Sequence, residues 1–128
     1  MAFSTIILSD SSKNLKALVR GFFTSDLNEP TCVLDLDKLK ETPAHIRVDS
    51  LWWLIEEKMG LRLWWDNGQL LIPMESRNSM RFDYPLSSRE LTSGKWSRKL
   101  YLTCHSVESG ITKQKYFTFG LDAEKQGQ

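Results

Sequence analysis

Twelve residues constrain this chain more than any others: Leu61-Arg62-Leu63-Trp64-Trp65-Asp66-Asn67-Gly68-Gln69-Leu70-Leu71-Ile72. Asn-Gly between two alternating runs is the favoured two-residue hairpin turn, because both central residues must accept positive φ. Read outward from that turn, the register pairs Trp65 with Leu70, Trp64 with Leu71 and Leu63 with Ile72. Successive strand side chains point to opposite faces. Leu61, Leu63 and Trp65 therefore share a core face with Leu70, Ile72 and Met74, while Arg62 and Trp64 point the other way. Pro73 has no N–H for a ladder and ends the second strand or places it at an edge.

The remaining pattern is read around this hairpin. Phe3 to Leu8 is β-branched and apolar, which suits a strand. Ser9-Asp10-Ser11-Ser12 supplies a helix N-cap, and Leu15, Leu18, Val19, Phe22 and Phe23 follow at one-face helical spacing. Cys32 to Leu36 is a second strand, so the segment reads as a βαβ unit with a right-handed crossover. Thr42-Pro43 opens a second helix, with Ala44, Val48, Leu51, Trp52, Ile55 and Met59 on one face and Gly60 after its end. Beyond the hairpin, Lys99 to His105 alternates Leu100, Leu102 and Cys104 with Tyr101, Thr103 and His105. Lys115 to Leu121 sets Phe117, Phe119 and Leu121 inward and Tyr116 and Thr118 outward. Phe82 to Leu86 is a short extended piece, and Glu75 to Arg81 and Ser87 to Gly94 are polar loops.

Helices in the first half and antiparallel strands in the second predict an α+β fold. It is a two-layer domain, with an N-terminal βαβ unit and a second helix packed on a mixed sheet that C-terminal strands continue. Residues 1–122 form the single domain, and 123–128 a polar C-terminal tail.

Composition sets the class. A chain of 128 residues with 41% hydrophobic and 26% charged residues is globular, and a net charge of +1 excludes a strongly basic nucleic-acid binder. Two cysteines, Cys32 and Cys104, make neither a disulfide framework nor a zinc motif. The amino terminus has no basic residue before its short apolar run, no stretch approaches a membrane span, and no Asn-x-Ser/Thr site occurs. A cytoplasmic protein with no membrane partner is expected.

Charge is unevenly spread: residues 1–60 carry seven basic and nine acidic groups, residues 61–128 ten and seven. The basic half also carries Trp64, Tyr101 and Tyr116. If both helices cover one sheet face, the other displays Arg62, Trp64, Leu71, Tyr101, Thr103, His105, Tyr116 and Thr118, unless a loop or helix lies over it. Trp52 and Trp65 fall on core positions, and Trp53 falls off its helical stripe. Large aromatics at such positions anchor protein interfaces. Trp64 fits an interface, a stacking platform or a covered core equally well.

The expected function is therefore a small protein-binding domain without catalysis, an interaction subunit or a regulatory, inhibitor-type protein. Its partner would be another protein or a second copy of the chain. Binding residues would be Trp53, Arg62, Trp64, Tyr101, His105, Tyr116, Lys99 and Lys115. The first alternative uses the same basic and aromatic residues to bind single-stranded nucleic acid, cations on phosphates and rings under bases. The second is a metal-dependent hydrolase centred on Asp35 and Asp37, although no phosphate-binding glycine loop is present. Cys104 and His105 are strand neighbours and point apart, so they do not form a nucleophile–base pair. No cofactor or resident metal is expected.

Overall fold

A computed structural model describes residues 2–24, 27–56, 59–66, 68, 70–75, 80–82, 86–87, 98–106 and 114–126. Asn67 of the hairpin turn, Trp96, residues 83–85 of the extended piece, and the polar stretches 76–79 and 88–97 lie outside the described residues.

The described chain is built from strands and one short 3₁₀ turn. In order these are β1 (Ala2–Asp10), β2 (Asn14–Phe23), β3 (Leu27–Asp35), the 3₁₀ turn Leu36–Lys38, β4 (His45–Ile55), β5 (Met59–Trp65), β6 (Leu70–Glu75), β7 (Met80–Phe82), β8 (Leu86–Ser87), β9 (Lys99–Ser106) and β10 (Lys115–Gln126). They form two antiparallel sheets. The larger runs β1-β2-β10-β4-β7, with β8 also on β4, and the smaller runs β3-β9-β5-β6. Leu15, Val19, Trp53, Phe117 and Phe119 from the large sheet join Leu61, Leu63, Trp65, Leu100 and Leu102 from the small one in a single apolar core. Thr5 Oγ1 adds a polar link between sheets, donating to Val33 O at 2.7 Å.

The α+β expectation is thus wrong: among the described residues no α-helix occurs, and both expected helices are strands. The first is β2, where Leu15, Ala17, Val19 and Phe23 are buried at a period of two. Leu18 and Phe22 completed the helical stripe, but they occupy the other, half-buried face. Apolar residues on both faces of a strand contain a helical spacing by coincidence. The expected N-cap cluster is the turn of the β1–β2 hairpin: Ser11 N–H donates to Asn14 O, and Asn14 N–H to Ser11 Oγ, both at 3.0 Å. The βαβ crossover disappears with the helix, and β1 pairs antiparallel with β2.

The second expected helix is β4, and its misleading period has a specific cause. Asp122 of β10 faces Ser50, but Ala123 faces Val48, so Asp49 is an extra residue. Such a bulge shifts the strand by one position. Ile46 and Val48 are buried before it, and Leu51, Trp53 and Ile55 after it. The step of three from Val48 to Leu51, set among steps of two, imitates i, i+3, i+4 spacing. The bulge is held by polar groups: Ser50 Oγ donates to Asp122 Oδ2 at 3.2 Å, and Arg47 pairs with Asp49 at 2.7 Å and Glu124 at 3.0 Å.

Glycine allows two close approaches in the large sheet. A Cβ at Gly21 would lie 2.7 Å from Phe3 Cα, against the backbone of the paired edge strand. Gly21→Ala is therefore expected to cost about 1–3 kcal/mol, the scale of overpacking that the backbone must absorb. Urea unfolding would measure the loss, and hydrogen exchange would show it concentrated in β1. At Gly120 a Cβ would meet the Trp52 indole at 2.5 Å, because that ring lies over its paired glycine.

The C-terminal strand is longer than expected. β10 runs past Leu121 to Gln126, with Ala123 and Lys125 buried. Among the described residues, no helix is long and apolar enough to cross a membrane.

Candidate functional site

The β5–β6 hairpin builds one wall of the small sheet, in a register that differs from the expected one. Leu63 faces Ile72 as expected, but Trp64 faces Leu70, so the ladder shifts between Leu63 and Trp64. The turn is closed by Gly68 N–H donating to Trp65 O at 3.0 Å, with Gly68 at φ 84°. Positive φ is the conformation glycine adopts without a Cβ penalty. Relative to the register of a two-residue turn, the pairing of Trp64 is displaced by one residue.

Alternation then sorts the side chains. Leu61, Leu63 and Trp65 enter the core, leaving Arg62 exposed and Trp64 half-buried on the outer face. β9 contributes the matching outer residues, since Gly60 faces His105, Arg62 faces Thr103 and Trp64 faces Tyr101. The His105 ring occupies the space above Gly60, where a Cβ would lie 2.6 Å from Nε2. Trp64 Nε1 donates to Thr103 Oγ1 at 3.0 Å, which leans the indole across β9. At the hairpin end of this face is a hollow of about 490 Å³, lined by Pro30, Trp64, Asp66, Tyr101 and Thr103 among others.

The large sheet presents a different outer face. Tyr116 of β10 lies between the strands of Phe22 and Ile55, and its ring centroid is 5.8 Å from that of Phe22. In the next row Thr118 faces Arg20 on one side and Leu54 on the other; in the row after, Gly120 faces Leu18 and Trp52. Trp52, Leu54 and Tyr116 are 39%, 57% and 55% exposed. A shallow hollow of about 410 Å³ opens beside Phe22 and Tyr116 against β1.

The expected single face is therefore divided. Arg62, Trp64, Tyr101, Thr103 and His105 stay together on the small sheet, and Lys99 joins them on β9. Lys115, Tyr116 and Thr118 belong to the large sheet. Trp53, expected on the surface, is buried at 5% exposure, whereas Trp52, expected in the core, is on the outer face. The bulge at Asp49 decides which of the two neighbouring tryptophans points inward. A strand reading of 50–56 would have found Trp52 and Leu54 as outward partners at a spacing of two.

The proposed hydrolase pair is engaged in the fold. Asp35 ends β3 and caps the 3₁₀ turn, its Oδ1 accepting from Asp37 N–H at 3.0 Å. Asp37 Oδ1 accepts from Arg98 Nη2 at 2.7 Å. Arg98 also donates to the carbonyls of Pro43 and Ala44, and its own N–H donates to Asp66 Oδ2 at 3.0 Å. The guanidinium thus ties the 3₁₀ turn to the entry of β4, while its backbone holds the hairpin tip. Among the described residues no group of three or more His, Cys, Asp or Glu side chains is arranged to hold a metal. Cys32 and Cys104 form no disulfide, and burial, then the nearby Asp35, push the Cys32 pKa up. A raised pKa keeps Cys32 in the less nucleophilic thiol form.

Two facing antiparallel sheets around one core, with two unlike outer faces, define an all-β domain whose candidate sites are surface aromatics. No protein-family model matches the chain, and no curated protein is significantly similar to it. Among solved structures, the chain is similar to a cupin superfamily protein from Desulfitobacterium hafniense. The two are 10% identical over 98% of this chain and 78% of the other, with a TM-score of 0.35. A superposition at that level carries no argument about architecture or activity.

Proposed function

We propose that this chain is a non-catalytic protein-binding domain, an interaction subunit or regulatory protein, and that it docks a partner protein on the outer face of the large sheet. The supporting observation is the exposure of Trp52, Leu54 and Tyr116 on adjoining rows of β4 and β10. Aromatic and aliphatic side chains held on a rigid sheet lose little entropy on binding and gain area when covered. Arg20 and Glu56, both exposed, supply charges of each sign beside the apolar rows. An apolar centre with a polar, mixed-charge rim is the usual anatomy of such an interface. The partner this face suits is therefore a folded protein carrying its own apolar strip. A cytoplasmic location belongs to the same proposal, supported by two cysteines that form no disulfide.

The test is a variant carrying Leu54→Lys and Tyr116→Ser. Both side chains are more than half exposed, so each change should alter stability by less than about 1 kcal/mol. Loss of two central anchors should weaken a complex by at least about tenfold. Affinity isolation with both proteins, alongside light scattering for self-association, reads the outcome. A complex lost only from the variant, with an unchanged unfolding curve, supports the proposal. A complex retained equally by both forms overturns it.

A further inference from the structure

On the opposite side of the molecule, we infer that the hollow at the hairpin end of the small sheet is a binding site for a small organic cation, an alkyl or quaternary ammonium group. Its walls include the aromatic side chains of Trp64 and Tyr101, cross-strand partners on β5 and β9, with Pro30 beside them. The hydrogen bond from Trp64 Nε1 to Thr103 Oγ1 fixes the indole before any ligand arrives. Preorganised aromatic walls attract cations through the negative face of the ring, and quaternary ammonium groups are recognised in this way.

Charge selects the ligand class further. Among the described residues that line the hollow, Asp66 alone is charged. Its Oδ2 accepts from the Arg98 backbone N–H at 3.0 Å, a neutral donor that orients the carboxylate without cancelling its charge. The Arg98 guanidinium is directed elsewhere, to Asp37 and to the carbonyls of Pro43 and Ala44. Arg62 and Lys99 share the outer face but are not among the lining residues. The hollow, at about 490 Å³, lies within the ordinary range of roughly 300–1,000 Å³ for small-molecule sites. A trimethylammonium group would therefore fit with room for the body that carries it. An anionic ligand is disfavoured by Asp66, and a neutral one gains nothing from it. The site involves neither Leu54 nor Tyr116, so it stands or falls independently of the docking face.

Choline and its uncharged carbon isostere, 3,3-dimethylbutan-1-ol, are the probes. The full chain is titrated with each while the indole N–H resonance of Trp64 is followed, at chloride concentration matched with sodium chloride. Choline is expected to shift that resonance saturably and to bind at least about fivefold more tightly than the isostere. Asp66→Asn keeps an acceptor for the Arg98 N–H and removes the charge, and it should weaken choline by about three- to tenfold. It should leave isostere binding unchanged. Equal binding of the two probes, no saturable shift up to about 100 mM choline, or choline affinity unaltered by Asp66→Asn would overturn the inference. The docking-face variant should bind choline like the wild type, which keeps the two proposals separate.

Discussion

Trp53→Ala is expected to destabilise the protein by about 3–5 kcal/mol, the range for removing a large aromatic side chain from a packed core. Trp52→Ala should cost only about 1–2 kcal/mol, because much of that ring already meets water. The residues are adjacent and chemically identical, so the difference isolates side-chain direction. Trp53 is 5% exposed and packs in the common core with Phe119, its cross-strand partner on β10. Trp52 is 39% exposed and lies over Gly120. Urea denaturation of both variants measures the order. A helix over this segment would reverse it, with Trp52 the costly residue.

The second large effect is expected at Lys125. Its ammonium is fully buried, pairs with Asp10 and donates to Glu41 O at 2.9 Å. The carboxylate of Asp10, 10% exposed, also accepts from Lys40 N–H at 2.8 Å. Lys125→Met leaves that carboxylate without its cation, and breaking a buried pair from one side costs about 3–5 kcal/mol. Adding Asp10→Asn removes the stranded charge and should recover much of the loss, since exchanging a whole buried pair for neutral groups is often nearly neutral.

The pair also sets a pH dependence. Burial raises the Asp10 pKa, but the hydrogen bonds and charges of Lys125 and Lys40 outweigh it and lower the value below the ordinary 3.8. A carboxyl group depressed on folding stabilises the native state fully above its unfolded pKa, and the contribution is lost as pH falls through the folded value. Wild-type stability should therefore be insensitive to Asp10 near neutrality and decline below about pH 4. In Lys125→Met, burial acts on Asp10 without its main opponent and raises its pKa. The deficit relative to wild type should accordingly shrink on acidification, when a protonated Asp10 needs no cation. Urea midpoints at neutral and acid pH test both statements.

The parts of the fold that were legible are those in which one face carries nearly all the apolar residues. Leu100, Leu102 and Cys104 are buried as their alternation indicates, and so are Phe117, Phe119 and Leu121. Leu61, Leu63 and Trp65 also occupy the inner face assigned to them. β2 and β4 were misread for two different reasons. In β2, Leu18 and Phe22 add apolar residues on the outer side, so periods of two and of 3.6 fit together. In β4, the extra residue at Asp49 breaks the alternation. Lys125 was assigned to a polar tail because its partner Asp10 lies at the other end of the chain. The candidate site was half legible: Trp64 and Tyr101 were found by alternation. Asp66 and Pro30 were missed because they reach the hollow from a turn and from another strand.

By itself the sequence determined the β5–β6 hairpin, the β9 and β10 alternation and the composition of a globular domain. These depend on side-chain direction and turn chemistry within a few residues. The tertiary structure decided that the two expected helices of the amino-terminal half are strands, that the aromatic and basic residues divide between two sheets, and which of Trp52 and Trp53 faces the core. The physical reason is that a strand has no internal hydrogen bonds to define it. β2 and β4 are both completed by pairing with β10, a strand more than fifty residues further along the chain.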